Sequence, residues 1–274
     1  MKTLLALILA TLLNLPAGAE PNGRGDGVDV GQASSIRKLV PAGKLEEASA
    51  QQYAQMKQQA AAQRALAPDN HPQLIRLRAI ARRILPFAPR FNPRAEQWQW
   101  EVNLIGSKEL NAFCMPGGKI AFYTGIIDTL KMTDDEIAIV MGHEIAHALR
   151  EHARERMAKS ELTNGLASIA SQIIAGTRYG GIGQLGIQGA ANLTTLKFSR
   201  DDETEADVVG LDLAARAGFD PRAGVTLWEK MAAANRGAPP QWLSTHPAGK
   251  NRITEIERHL PEVMPLYEAA RKRG

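Results

Sequence analysis

The chain has 274 residues, 44% of them hydrophobic, with a formal net charge of +4. That length supports one sizeable core with a small appendage. The mild positive charge is mixed with acidic residues along the chain, which argues against a nucleic-acid-binding surface.

Residues 1–19 read as a secretory signal peptide. Lys2 is a minimal basic region, Leu4 to Leu15 is an apolar run too short to span a bilayer, and Ala17-Gly18-Ala19 supplies a cleavage site of small residues. No cysteine stands near that site, as a lipoprotein signal requires. The only cysteine, Cys114, excludes an intramolecular disulfide and sits in an apolar stretch, where it reads as a small buried hydrophobe. The expected mature protein is exported, periplasmic and soluble.

Residues 20–43 are polar and Gly-rich without a period, and are expected to form a flexible linker. Lys44 to Leu66, rich in Ala and Gln, predicts a helix. With the linker it makes an N-terminal unit over 20–69, ahead of a main domain over 70–274. The break Pro68-Asp69-Asn70-His71-Pro72 ends that helix. Apolar residues at 74, 77, 80, 81 and 84 predict an amphipathic helix over Gln73 to Leu85, with a solvated arginine face.

Alternation over Trp98 to Ile105 predicts a strand. Residues 111–115, the turn Pro116-Gly117-Gly118 and residues 119–124 predict a hairpin. Thr133-Asp134-Asp135-Glu136 is a capping box that opens the next helix. That helix carries His143-Glu144-Ile145-Ala146-His147, an H-E-x-x-H pattern. Imidazoles four residues apart share one helix face, about 5–6 Å apart at Cβ, and both can reach one Zn²⁺. Glu144 is placed to act as general base on a water activated there. From Ile137 to Leu149 nearly every other residue is apolar or small. Burying two His and a Glu on such a helix is costly unless a metal or other partners compensate. From Arg150 the charged sequence predicts that the helix emerges into solvent, with His152 at the surface.

Leu162 to Leu193 is Gly-rich with one charged residue, Arg178. A mobile lid and a packing segment of small residues are both compatible with it. Glu203-Thr204-Glu205-Ala206-Asp207 then opens a helix ending near Gly218. A two-His zinc site needs a third protein ligand, and Glu203 fits that need. Asp207, one turn on, can accept the outer N–H of a ligating His. Glu205 is expected at the surface. Ser244-Thr245-His246-Pro247 forms a loop that enters a helix over about 249–259. His246 there is either a loop residue or an oxyanion-stabilising electrophile, with Arg252 in support. His259 is expected at the surface.

Taken together, the Asn111-Ala112-Phe113…Pro116-Gly117-Gly118 stretch, the HEIAH motif, SRDDETEAD and STHP followed by Arg252 resemble a zinc metallopeptidase family, the one that includes the CAAX prenyl proteases. The likeness covers about residues 70–265 and is nearest to a soluble periplasmic branch of the BepA and LoiP kind. It implies one Zn²⁺ per chain held by His143, His147 and Glu203, with Glu144 as base and Asp207 behind the ligands. It also implies that Asn111, His246 and Arg252 line the cleft, and that His246 can swing onto the metal. The hairpin, with Asn111, Gly117 and Gly118, is suited to hold an extended substrate by main-chain pairing.

No C-terminal helical-repeat domain and no lipobox cysteine follow that pattern here. The expected fold is a mostly helical α+β zincin with a small sheet beside the H-E-x-x-H helix. The expected activity is endopeptidase cleavage of unfolded or misassembled envelope proteins. A peripheral contact with outer-membrane assembly machinery is the further partner the likeness implies. Two alternatives stand: a chaperone-like binder of unfolded chains, and a zinc hydrolase of a non-protein substrate.

Overall fold

A computed structural model describes residues 26–164, 197–234, 241–246 and 252–273. The expected signal peptide, the Gly-rich segment beyond Asn164 and Pro247 lie outside the described residues. The fold is α+β and mostly helical, as expected. Its helices are α1 (Ala42–Ala62), α2 (Pro72–Ile84), α3 (Thr124–Leu130), α4 (Asp134–Leu149), α5 (His152–Asn164), α6 (Arg200–Arg216), α7 (Ala223–Ala234), α8 (Gln241–Thr245) and α9 (Arg252–Arg273). Strands β1 (Glu101–Ile105), β2 (Ala112–Met115) and β3 (Lys119–Tyr123) form one sheet in the order β1-β3-β2. β1 runs parallel to β3, and β2 and β3 form the expected antiparallel hairpin.

Strand alternation sorts the sheet into two faces. Val102, Leu104, Ala112, Ile120 and Phe122 join the main core with α2, α4 and α6. Ile105, Phe113, Met115 and Ala121 face the other way and cluster with Tyr53 and Ala60 of α1. The N-terminal helix is thus a third layer over the sheet. Tyr53 donates its hydroxyl to the Ile120 carbonyl, and Lys57 pairs with Glu101. Glu46 is 2.6 Å from Arg94.

The stretch before α1, expected as a linker, lies against the body. Asp26 is 3.1 Å from Arg216. Arg37 is 2.6 Å from Glu151. Arg150 donates to the Gly31 carbonyl at 3.0 Å. These anchors are single charges and carbonyls spaced irregularly, so they leave no hydrophobic period in the sequence to read.

The capping box opens α4 as expected: Thr133 accepts from the Glu136 N–H, and Glu136 accepts from the Thr133 N–H. From Ile137 to Leu149 every residue of α4 is buried. The charged run after Arg150 does reach solvent, at Arg156 and Lys159, but not as a continuation of α4. The helix stops at Leu149, Glu151 takes φ +60°, and α5 starts at a buried His152. At the other end of the chain, α9 begins at Arg252 and passes two prolines, Pro261 and Pro265, to reach Arg273.

α4 and α6 cross at two glycines. A Cβ on Gly142 would stand 2.7 Å from the Gly210 carbonyl oxygen, and a Cβ on Gly210 would stand 2.7 Å from the His143 nitrogen. The helices therefore touch backbone to backbone, and this contact sets His143 opposite the first turns of α6. Backbone cannot yield as a flexible side chain can. We expect Gly210→Ala to cost about 1–3 kcal/mol through overpacking and to weaken metal binding, both readable by thermal melts with and without zinc. Unchanged stability would show that the two helices are free to separate.

Candidate metal centre

His143 and His147 stand one turn apart on α4 and aim their Nε2 atoms inward, 3.0 Å from each other. Glu203 lies in the first turn of α6, where the Ser199 cap and the helix dipole favour an acidic residue. Its carboxylate oxygens stand 3.7 Å from His143 Nε2 and 3.5 Å from His147 Nε2. His246, just after α8, brings its Nδ1 to 3.2 Å from His143 Nε2 and 3.0 Å from Glu203 Oε1. One ligand atom from each of these four buried residues lies within 4.8 Å of the others. Four donors placed tetrahedrally at about 2.0–2.1 Å from a zinc ion stand about 3.3–3.4 Å apart. The five separations given lie around that edge length, and the four residues together could hold one metal ion.

The outer contacts accommodate the protons a metal site needs. His143 Nδ1 is 2.9 Å from Asp207 Oδ1, and His147 Nδ1 is 2.8 Å from His152 Nδ1. With the Nδ1 hydrogens engaged outward, the Nε2 lone pairs face inward, the tautomer a metal requires. Burial holds both imidazoles well below the usual histidine range, so they are neutral. Burial pushes the Asp207 carboxyl up, against the pull of Arg252. Glu203 is held below the usual carboxylate range: burial opposes ionisation, but His246, His143 and Arg252 outweigh it. For His246 burial disfavours the charged form, yet Glu144 and Glu203 raise its pKa.

Arg252, expected to assist at the oxyanion, is buried and bridges Glu203 and Asp207, with its Nε 2.5 Å from Asp207 Oδ2. Its guanidinium also lies over the Trp228 ring at 4.2 Å. That side chain is committed to orienting two acidic groups.

Glu144 faces the same space. Its Oε1 accepts from the Trp242 indole N–H at 2.6 Å and stands 3.5 Å from His246 Nε2. Burial pushes its pKa up to about 7. Trp242 is held by its backbone N–H, which donates to the Leu110 carbonyl at 3.0 Å, tying α8 to the approach to β2. Phe198 stacks on His147 at 4.0 Å between ring centres.

The remaining expected residues are not among the four donors. Asn111 is buried at the start of β2, and its side-chain oxygen accepts from the Ala112 N–H. Gly117 and Gly118 take φ +83° and +79° in the hairpin turn, beside Glu46 and Trp100 and not in the imidazole cluster. Sequence reading missed Trp242, Phe198, His152 and Glu205. Trp242 precedes His246 by one helical turn, a spacing that could have flagged it. His152 and Glu205 were expected at the surface. His152 is buried, and its Nε2 is 2.7 Å from Glu205 Oε2. The pairing was hidden because a continuous helix would have turned His152 away. Cys114 is half-buried, and burial raises its thiol pKa.

Comparison with known proteins agrees with this geometry. Residues 75–260 match Peptidase family M48, whose metalloproteases depend on zinc. Mitochondrial metalloendopeptidase OMA1 of Schizosaccharomyces pombe is 34% identical over 207 residues, covering 74% of this chain and 58% of that protein. Metalloprotease LoiP of Escherichia coli is 32% identical over 157 residues, covering 56% of this chain and 60% of LoiP. The Beta-barrel assembly-enhancing protease of Yersinia pestis is 28% identical over 184 residues, 64% of this chain and 37% of that protein. The chain thus spans less than two thirds of the length of each of these relatives. With more than half of its residues matched and a fitting donor set in place, the chain belongs to peptidase family M48.

Proposed function

We propose that this chain is a zinc-dependent endopeptidase of the cell envelope that cleaves unfolded or misassembled proteins. The observation that carries the reading is the carboxylate of Glu144 set beside a buried four-donor group, two of whose members share its helix. In this reading His143, His147 and Glu203 hold one zinc, and Asp207 and Arg252 orient His143 and Glu203. Zinc bound there supplies Lewis-acid polarisation of a scissile carbonyl and of water. Glu144 takes the proton of the attacking water and returns it to the leaving amine. Trp242 occupies Oε1 of Glu144 and leaves Oε2 to carry that proton.

The substrate strand is placed along β2. Among the described residues β2 has a strand neighbour on one side only, and an edge strand recruits an extended peptide by main-chain pairing. Asn111 and the Gly117-Gly118 turn bracket it. The name of the Beta-barrel assembly-enhancing protease and the export signal expected at Ala17-Gly18-Ala19 support an envelope protease, and LoiP supports a metalloprotease. No helix among the described residues is long and apolar enough to cross a membrane. A peripheral contact with outer-membrane assembly machinery is the partner the second of these relatives suggests. OMA1 is mitochondrial by name, so the family spans more than one compartment. The likeness to the CAAX prenyl proteases and to the BepA and LoiP branch rests on the four sequence motifs already described.

His246 is read as a reversible fourth ligand. Its ring stands between Glu203 and Glu144, where attacking water must enter. His246 held there would keep the enzyme latent until substrate displaced its ring.

Three outcomes follow. Glu144→Gln should keep zinc and fold but lose casein cleavage, because an amide accepts no proton; near-normal cleavage would remove Glu144 as base. Trp242→Phe should keep zinc but lower kcat by about ten- to a hundredfold, the scale of one hydrogen bond to a charged group. An unchanged kcat would show that Glu144 needs no such support. His246→Ala should raise cleavage of an unfolded substrate or provoke self-cleavage. A fall of about 10²-fold or more with zinc retained would make His246 an oxyanion donor instead.

A further inference from the structure

The two histidines of α4 are supported differently. His143 turns Nδ1 to a carboxylate, Asp207, at 2.9 Å. His147 has no carboxylate at its Nδ1. It meets a third imidazole, His152, Nδ1 to Nδ1 at 2.8 Å. His152 in turn sets its Nε2 2.7 Å from Oε2 of Glu205. The other oxygen of Glu205 is 2.5 Å from Nη2 of Arg150, which also donates to the Gly31 carbonyl at 3.0 Å.

This line of contacts depends on the broken helix. Five residues along an unbroken α-helix turn the side chain about 140° away from the starting face. His152 would then point away from His147. Instead the helix stops at Leu149, and Glu151 adopts φ +60°. L-residues resist that conformation, and here ion pairs to Arg37 and Arg154 accompany it. The kink swings His152 back beneath His147, where it is 1% exposed.

The protons along the line have one consistent arrangement. His147 turns its Nε2 lone pair to the donor group, so its hydrogen sits on Nδ1. That N–H donates to the bare Nδ1 of His152. A hydrogen on His152 Nε2 then donates to Glu205. Glu205 is only partly covered, with its side chain 23% exposed, and Arg150 holds its second oxygen. Phe198, stacked on His147, confines the plane of the ring while His152 confines its rotation.

We propose that His152 is a positioning residue for zinc, acting through His147. An imidazole interposed between Glu205 and His147 fixes the tautomer and angle of that ring and transmits the pull of the carboxylate to its Nε2. The metal is thereby supported through two unlike arms: Asp207 directly on His143, and Glu205 through His152 on His147. The proposal rests on the reading that His147 binds zinc. An apolar ring in place of His152 would fill the space but leave the Nδ1 hydrogen of His147 buried without an acceptor.

The test uses the purified chain with zinc removed and restored. Zinc affinity is measured by competition with a chromophoric chelator, and the cobalt-substituted protein gives an absorption spectrum of the ligand field. Outer partners of ligating histidines typically contribute about 10–100-fold in metal affinity. His152→Phe should lose affinity on that scale and shift the cobalt bands, with the metal-free protein melting as wild type does. His152→Gln, whose amide can accept from His147 and donate to Glu205, should recover most of the loss. Glu205→Gln should lose affinity to a lesser degree, and it decides by the same criterion if His152→Phe does not fold. A wild-type protein that binds zinc, with His152→Phe and Glu205→Gln within twofold of it, would overturn the positioning role and leave the metal reading standing. A wild-type protein with no zinc affinity would overturn both.

Discussion

The contact on which the rest of the site depends is the crossing of α4 and α6 at Gly142 and Gly210. Two helices that meet through glycine bring their backbones together with no side chain between them. The turn carrying His143 then faces the turns carrying Glu203 and Asp207. Any residue with a Cβ at either position would drive the helices apart, while the imidazole and carboxylate separations tolerate only tenths of an ångström. The capping boxes at Thr133 and Ser199 fix where each helix begins, and so fix which residues stand at the crossing.

Around that crossing the protein gathers a cluster of buried charge. Glu144, Glu203, Asp207 and Arg252 are all buried beside His143, His147 and His246. Charges taken out of water are costly unless paired, and here the carboxylates are paired with a guanidinium, an indole N–H or an imidazole. His143 and His147 stay neutral because burial disfavours their charged form. For these two residues structure and metal chemistry ask for the same protonation state.

Much of this was legible in the sequence. The H-E-x-x-H spacing, the capping box ahead of it and Glu203 and Asp207 one turn apart each follow from helical periodicity, and the structure brings His143, Asp207 and Glu203 together as that periodicity implied. The hairpin was legible from alternation and the Pro116-Gly117-Gly118 turn. What escaped was decided by tertiary contacts. A charged run from Arg150 reads as a solvated helix, but a left-handed Glu151 redirects it, and no glycine marks the kink. Asp26 to Val40 reads as a linker because its anchors are isolated ion pairs and carbonyls without a period. Trp242 escaped because its partner, Glu144, is 98 residues away.

The central claim is that one zinc sits among His143, His147, Glu203 and His246 in the resting protein. X-ray absorption at the zinc edge of the purified chain tests it most directly. The account predicts a four-coordinate first shell of three imidazole nitrogens and one carboxylate oxygen at about 2.0–2.2 Å, changing to two nitrogens in His246→Ala. A wild-type shell with only two imidazole nitrogens, unchanged by that substitution, would contradict it.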